Sequence, residues 1–529
     1  MNQDFKKGKI MIVRHVSKFC MVAALVACGT GFGLDKAIAA PRGPTDMEEG
    51  VQVLTRGPVH EAFAETVTFD PEPGIVVTRL PRDIIEEVPP EQKPEGANVA
   101  WIPGYWAWDD ERSDFIWVSG IWRALPPGRQ WVPGYWGPSG QGAQWTSGYW
   151  ADATVSEVEY LPEPPETVEA GPNIAAPSAD HLWIPGSWVW NQNRYAWRPG
   201  YWAPVQPDWV WVPDHYLWAS RGYVFVDGYW DYSLGRRGVM FAPAYFDASV
   251  YRRRGFYYSP STVIDLSVFT DHLFLRPRYG HYYFGDYYAA SYYDTGFYPW
   301  FSFQSNRYGY DPIYAHYRWQ HRRDRDWDRR IETDFRRRRD HEEARPPRTL
   351  EAMKQLGSRG EKSKDKSLVV ATPLDQLTKS KDRWGRFQPL DKEERQKLAK
   401  HGQEVQKTRE ERRKLEAKAE DVSAKKQLQE SQPAKIKLPK AADASAQKQF
   451  QEFQPARIKL PRSPIVAKPA DQLGKEYAPP KTYSAPKPDL TVEPKPRRAA
   501  RRSGGESNDT PRGESTDKPK GESQGKPKN

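Results

Sequence analysis

Trp101-Ile102-Pro103-Gly104-Tyr105-Trp106 is the stretch on which the fold turns, because the phrase recurs. It returns as Trp117-Val-Ser-Gly-Ile-Trp122, Trp131-Val-Pro-Gly-Tyr-Trp136 and Trp145-Thr-Ser-Gly-Tyr-Trp150. A second group reads Trp183-Ile-Pro-Gly-Ser-Trp188, Trp197-Arg-Pro-Gly-Tyr-Trp202, a degenerate Trp211-Val-Pro-Asp-His-Tyr216 and Phe225-Val-Asp-Gly-Tyr-Trp230. Phe241-Ala-Pro-Ala-Tyr-Phe246 reads as a ninth, eroded copy. The first positions step by 16, 14 and 14 residues in the first group and by 14, 14 and 14 in the second. That period is too short for a helix-turn-helix repeat and suits one strand plus one turn. Turn sequences fall between the phrases at Asp109–Arg112, Pro126–Gly128, Pro138–Gly140 and Asn191–Asn193. The flanking Trp, Tyr, Val and Ile favour a pleated surface.

Pro cannot donate to a ladder and Gly weakens a strand interior, so the centre of the phrase needs its own explanation. In a regular strand, residues five apart point to opposite faces. A bulge at the Gly is expected to shift the alternation and bring both Trp side chains to one face. A longer unit encloses the phrases: Pro89-Pro90-Glu91 precedes the first group and Pro164-Pro165-Glu166 the second, which reads as duplication of a four-repeat module.

The phrase resembles the bacterial Trp-x-x-Gly-x-Trp repeat family. That resemblance implies an exported, envelope setting and supplies no activity. The fold class expected is mainly β: an antiparallel meander of short Trp-rich strands in two four-repeat modules, then charged helices and a disordered C-terminal tail. The aromatic rows, Trp101, Trp106, Trp117, Trp122, Trp131, Trp136, Trp145, Trp150, Trp183, Trp188, Trp197, Trp202 and Trp230, serve either as the core of the sheet or as a platform for sugar rings. Recurrence at every strand favours the core.

Composition agrees with this division. The 529 residues are 38% hydrophobic, with a mean hydropathy of −0.84, which is too polar for a chain folded throughout. Yet 22 Trp, 28 Tyr and 20 Phe are more than a disordered chain carries. The net charge of +10 conceals an asymmetry: residues 40–230 sum to −15 and residues 231–529 to +21. The basic half is expected to attract anionic envelope polymer, or other copies of the chain.

Residues 1–39 read as a signal peptide, with Lys6, Lys7, Lys9, Arg14 and Lys18 before an apolar run and Ala37-Ile38-Ala39 as the cleavage signal. Leu25-Val26-Ala27-Cys28-Gly29 also resembles a lipobox, in which case Cys28 carries a lipid and the protein is membrane-attached. Either processing route leaves no thiol for catalysis and no disulfide, since Cys20 and Cys28 are the chain's two cysteines. The destination is the periplasm, outer envelope or exterior, and no nucleic-acid partner is expected there.

Residues 40–95 form a Pro/Glu-rich segment. Residues 96–246 form the repeat domain, with modules at about 96–152 and 171–246, followed by a Tyr-rich extension at 247–317. In the extension, Val263–Phe269 is expected to dock on the repeats, and Arg is expected to stack on Tyr within the fold. Asp265, Asp271, His272 and His281 lack any spacing that demands a metal or a catalytic site, and no cofactor is implied. Residues 318–430 read as a charged helical segment. One helix runs from Arg318 to Glu343 with a stripe of Trp319, Trp327, Ile331 and Phe335, solvated or lying on a membrane surface. Another runs from Asp391 to Lys426, its Leu398, Val405 and Leu415 sparse for a coiled coil. Residues 431–529 read as a disordered basic tail. Across these last two segments a motif occurs twice: Lys426–Pro439 ends Gln-Pro-Ala-Lys-Ile-Lys-Leu-Pro, and Lys448–Pro461 ends Gln-Pro-Ala-Arg-Ile-Lys-Leu-Pro. The expected function is structural: an exported scaffold, not an enzyme, with carbohydrate binding as the alternative.

Overall fold

The computed structural model describes residues 49–96, 98–305, 308–358, 365–379, 386–417, 455–475, 477–483 and 485–494. The mainly β, antiparallel reading holds. Each of the eight phrases splits into two short strands that part at its third and fourth residues, where Pro or Ser precedes Gly in six of them. Consecutive phrases then pair with each other. In the first hairpin, Tyr105–Asp109 pairs with Asp114–Val118 and Val99–Ile102 with Ile121–Ala124, setting Trp106 opposite Trp117 and Trp101 opposite Trp122. The second hairpin sets Trp136 opposite Trp145 and Trp131 opposite Trp150. The third sets Trp188 opposite Trp197 and Trp183 opposite Trp202. The fourth sets Tyr216 opposite Phe225 and Trp211 opposite Trp230. The eroded copy adds further strands to the first hairpin, Gly238–Met240 beside Ile121–Ala124 and Ala244–Phe246 beside Trp117.

The bulge expected at the Gly is not what forms. A bulge puts an extra residue on one strand, whereas here two residues leave the ladder on both strands at once: Pro103-Gly104 opposite Ser119-Gly120. Nor do the two Trp of a phrase share a face of one core. Trp101 and Trp122 pack with Phe241 and Val263, while Trp106 and Trp117 pack in a separate cluster with Phe115, Phe246 and Tyr283. The hairpin tips follow the turn sequences, and at Asn191–Arg194 both central residues have positive φ, Gln192 at 48° and Asn193 at 59°, as a tight hairpin turn demands.

Three helices bear on the repeat body and its cleft: α1 (Pro312–Gln320), α2 (Trp327–Asp340) and α3 (Lys392–Ala417). The single helix expected over 318–343 is therefore broken. The chain turns between α1 and α2 so that the Trp327 ring stacks on His321, with centroids 4.8 Å apart, and packs beside Trp300 and Tyr314. The apolar stripe of α2 faces the protein, Phe335 lying against Phe274, Tyr288 and Phe301. Val263 docks on the Trp101–Trp122 pair, as expected.

The tail differs from expectation over residues 455–494. Ala456–Lys459 pairs with Glu157–Leu161, Ile465 is buried, and the Tyr483 ring lies 4.9 Å from that of Trp230. Average composition hides these sparse apolar residues, and ready-made aromatic grooves supply the area that the segment lacks on its own. Residues 1–48, with the expected signal peptide and Cys28, residues 418–454 with the first linear motif, and residues 495–529 lie outside the described residues. Among the described residues no helix is long and apolar enough to cross a membrane.

Candidate functional site: the tryptophan rows and their carboxylate clamps

Why the phrase needs Gly at its fourth position follows from the hairpin. A Cβ on Gly120 would lie 2.5 Å from Cζ2 of Trp101, and one on Gly148 2.6 Å from Cζ2 of Trp131. Gly186 faces Trp197 at 2.4 Å, Gly200 faces Trp183 at 2.4 Å, and Gly228 faces Trp211 at 2.7 Å. The first Trp of each phrase thus lies over the Gly of its partner phrase. Of the three departures in the fourth hairpin, Asp214, Tyr216 and Phe225, the first and last are explained together. Asp214 replaces the Gly, and the partner residue that would have lain over it is Phe225, a smaller ring than indole. The rings of each cross-strand pair meet edge-on or tilted, with centroids 5.1 Å apart for Trp101–Trp122 and Trp131–Trp150 and 5.3 Å for Trp188–Trp197. Such pairs add about 0.5–1.5 kcal/mol each beyond area burial.

With two residues per strand out of the ladder, the Gly amides need an acceptor. In the first three hairpins a carboxylate from outside the hairpin supplies it. Glu87 accepts from Gly104 N at 2.7 Å, from Gly120 N at 2.9 Å and from Trp117 Nε1 at 3.0 Å. Glu61 accepts from Gly134 N and Gly148 N, both at 2.9 Å. Glu169 accepts from Gly186 N and, at 3.0 Å, from Trp183 Nε1. Burial pushes both Glu61 and Glu87 up to about 7, against the pull of those same amides. The Pro/Glu-rich segment is therefore an integral part of the repeat body. Sequence reasoning passed over these residues, yet a signal existed: Glu87 and Glu169 each stand 14 residues, one repeat period, before the first Trp of their module. Glu61 carries no such mark.

Helix α3 lies across the same breaks. Gln406 Nε2 donates to Gly104 O at 3.0 Å, and Arg412 Nη1 donates to the carbonyls of Pro133 and Ser147, both at 3.0 Å. Arg412 Nε also donates to Glu416 at 2.8 Å, and Glu416 accepts from the hydroxyls of Tyr135 and Tyr160 at 2.6 and 2.8 Å. Both charges are buried. The Arg412 guanidinium also lies over the Tyr135 and Tyr149 rings. A helix read as a sparse polar rod is thus a buried strut.

The predicted aromatic platform divides in two. Trp101, Trp106, Trp117, Trp122, Trp131, Trp136, Trp145 and Trp150 are all buried, so the first module offers no indole face to a ligand. In the second module Trp188, Trp197 and Trp230 are buried while Trp183 and Trp202 are half-exposed. These two border a cleft of about 750 Å³ shared with Tyr314, Trp319, Trp327 and Arg318. Trp319 Nε1 donates to Asp180 at 3.4 Å, and Arg322 pairs with the same carboxylate at 2.8 Å while lying over the Trp319 ring. Indole faces beside carboxylate and guanidinium suit stacking on a sugar ring and hydrogen bonding to its hydroxyls.

The four residues considered for catalysis are each tied to their own partners. His272 bonds to the Tyr288 hydroxyl at 2.8 Å and to Ser367 O at 2.7 Å, whereas His281 bonds to the Tyr105 hydroxyl and Tyr279 O, both at 2.7 Å. Burial lowers His272 to about 3 and His281 to about 4, so both are neutral. The Tyr288 hydroxyl oxygen also lies 2.9 Å from the Asp271 carbonyl oxygen, and Asp265 accepts from Ser267 N. Among the described residues no group of three or more His, Cys, Asp or Glu is arranged to hold a metal ion.

A family model described as WXXGXW repeat (2 copies) matches residues 96–123, 179–203 and 207–231. Each matched stretch contains one hairpin of two phrases, so the unit of the family and the unit of the fold coincide. The second hairpin lies outside the matched residues although both of its phrases are intact. No curated protein and no solved structure matches the chain.

Proposed function

We propose that the protein is an exported scaffold of the cell envelope, in which the repeat hairpins form a rigid framework and the basic C-terminal stretch binds anionic polymer or further copies of the chain. The observation that supports it most directly is that the phrase tryptophans are committed to one another, eight of them fully to the interior, which suits a body built for rigidity. The reading assigns no catalysis, in keeping with the structural hydrogen bonds that engage His272 and His281. Helix α3 and a strap of residues 455–494 pack on the body, so the tether is assigned to residues 495–529, beyond the strap, with a net charge of +5.

Co-sedimentation with dextran sulfate tests the tether. Full-length chain is expected to bind at low salt and to release as salt rises, and a chain ending at residue 494 to bind at least tenfold more weakly. Equal binding by the two would remove the tether from the reading. Intact mass of the mature protein tests export, distinguishing a cut after Ala39 from a lipid on Cys28. A second reading, carbohydrate binding, is favoured by the cleft beside Trp183 and Trp202. It predicts saturable quenching of Trp fluorescence by a soluble polysaccharide, lost in Trp319→Ala.

A further inference from the structure

The duplicated motif has one of its two copies in a visible seat. Ala456–Lys459 runs antiparallel along Glu157–Leu161, with Glu157 opposite Lys459, Val158 opposite Ile458, Glu159 opposite Arg457 and Tyr160 opposite Ala456. The seat reads this strand in three ways. Ladder hydrogen bonds take any sequence; Ile458 is buried beside Val158; and Arg457 Nη2 pairs with Glu159 at 3.1 Å. Pro455 and Pro461 bracket the strand, and neither has an N–H with which to extend the ladder.

Every feature read by the seat is present in the other copy. Gln432-Pro433-Ala434-Lys435-Ile436-Lys437-Leu438-Pro439 differs from residues 454–461 at one position, Lys435 for Arg457, and that change preserves the charge facing Glu159. The seat also lies where the chain leading to both copies begins. Glu416, in the last turn of α3, holds the Tyr160 hydroxyl in the middle of the seat strand at 2.8 Å. From Ala417 the chain runs 17 residues to Ala434 and 39 to Ala456. Seventeen residues reach about 55 Å when extended, ample for a seat beside the helix end. Loop closure favours the nearer copy by about threefold.

We infer that Glu157–Leu161 is a docking edge for the Pro-Ala-(Arg/Lys)-Ile-Lys-Leu-Pro motif, and that residues 433–439 of the same molecule occupy it in alternation with residues 455–461. The residues after each copy decide which dominates. Downstream of the second copy, Ser463 Oγ bonds to Ile465 N and Trp131 N donates to Ile465 O, while Ala467 N donates to Arg129 O. After the first copy, Lys440-Ala441-Ala442-Asp443 puts Ala441 where Ser463 stands and Asp443 where Ile465 stands, so it offers no equivalent anchor. The second copy is therefore the majority occupant. When the first copy seats, Ala456–Lys459 leaves the edge, while Ile465, Tyr483 and Asp489 keep contacts of their own with Trp131, Pro204 and Trp197.

Disulfide trapping tests this in the full-length chain with Cys20 and Cys28 changed to Ser. Directly opposed residues of antiparallel strands lie within disulfide reach. Glu159→Cys with Arg457→Cys is expected to close within one molecule, which also reports that the seat is folded. Glu159→Cys with Lys435→Cys is expected to close within one molecule at lower yield, to rise severalfold when Ile458→Asp weakens the resident strand, and to be lost when Ile436→Asp is added. Closure of the 159–457 pair without any 159–435 closure, even with Ile458→Asp, overturns the inference. So does a 159–435 disulfide found between molecules alone, or one indifferent to Ile436→Asp.

Discussion

At Gly148 a hydrogen atom stands where a methyl group would meet both the Trp131 ring, at 2.6 Å, and Glu61 Oε1, at 2.7 Å. Gly148→Ala is expected to destabilise by about 1–3 kcal/mol, as overpacked sites do. Gly235→Ala, with nothing within 4 Å of the added carbon, is expected to stay within about 0.5 kcal/mol of wild type. Urea denaturation checks both. Trp131→Phe should recover part of the Gly148→Ala loss, as Phe225 accommodates Asp214 in the fourth hairpin; strict additivity in the double variant would separate the two residues. The clamps make a pH prediction. The Glu87 carboxyl, at about 4.5 when unfolded, is raised to about 7 by burial. Between those values the folded chain keeps a proton that the unfolded chain has released. This group's contribution is therefore complete below about pH 4.5 and is lost as the pH rises through 7. Relative to Glu87→Gln, wild type should be more stable at pH 5 than at pH 8 in thermal melts. His60 and His281, lowered by burial to about 3 and about 4, act with the opposite sign: their contribution is present above about 6.5 and lost as the pH falls toward those values.

Among the elements, α3 shows how far helix character and helix role can part. Its sequence is that of a solvated rod, yet Arg412 and Glu416 are buried where the second hairpin breaks. Removing one partner of such a pair strands the other. Arg412→Met is expected to cost about 3–5 kcal/mol, because Glu416 and the Pro133 and Ser147 carbonyls all lose their cation or donor. Arg413→Met, whose side chain pairs with Glu410 near the surface, should cost less than about 1 kcal/mol. Equal losses in chemical denaturation would show that α3 does not brace the hairpins. The break between α1 and α2 resembles the burial in α3: the Trp327 ring finds a site against Trp300, Tyr314 and His321, and local helical preference yields to it.

On the scale of the whole molecule, the repeat body is completed by chain from both ends of the sequence. Residues 49–95 supply Glu61, Glu65 and Glu87, and residues 455–494 strap the seat strand and the fourth hairpin. Truncation separates the strap from the residues beyond it. Ending the chain at residue 494 should leave the melting temperature within about 1 °C of wild type. Ending it at residue 454 should lower the melting temperature by several degrees and shift Trp emission to the red as Trp211 and Trp230 lose Tyr483. If both truncations melt alike, the strap contributes nothing to stability.

The short strands, the turns and the pairing of like with like were legible in the sequence, because a repeated hexapeptide with period 14 carries its own strand propensity and its own turn residues. The fate of the Gly was not, since its constraint comes from an indole on the partner phrase and a carboxylate from another segment. Neither is a neighbour along the chain. The same holds for α3 and the tail, whose average polarity is true of their surfaces and silent about the few residues that dock. Local chemistry wrote the repeat; long-range contacts decided that its tryptophans face one another across two broken ladders, because amides released from a ladder must find an acceptor wherever the fold can bring one.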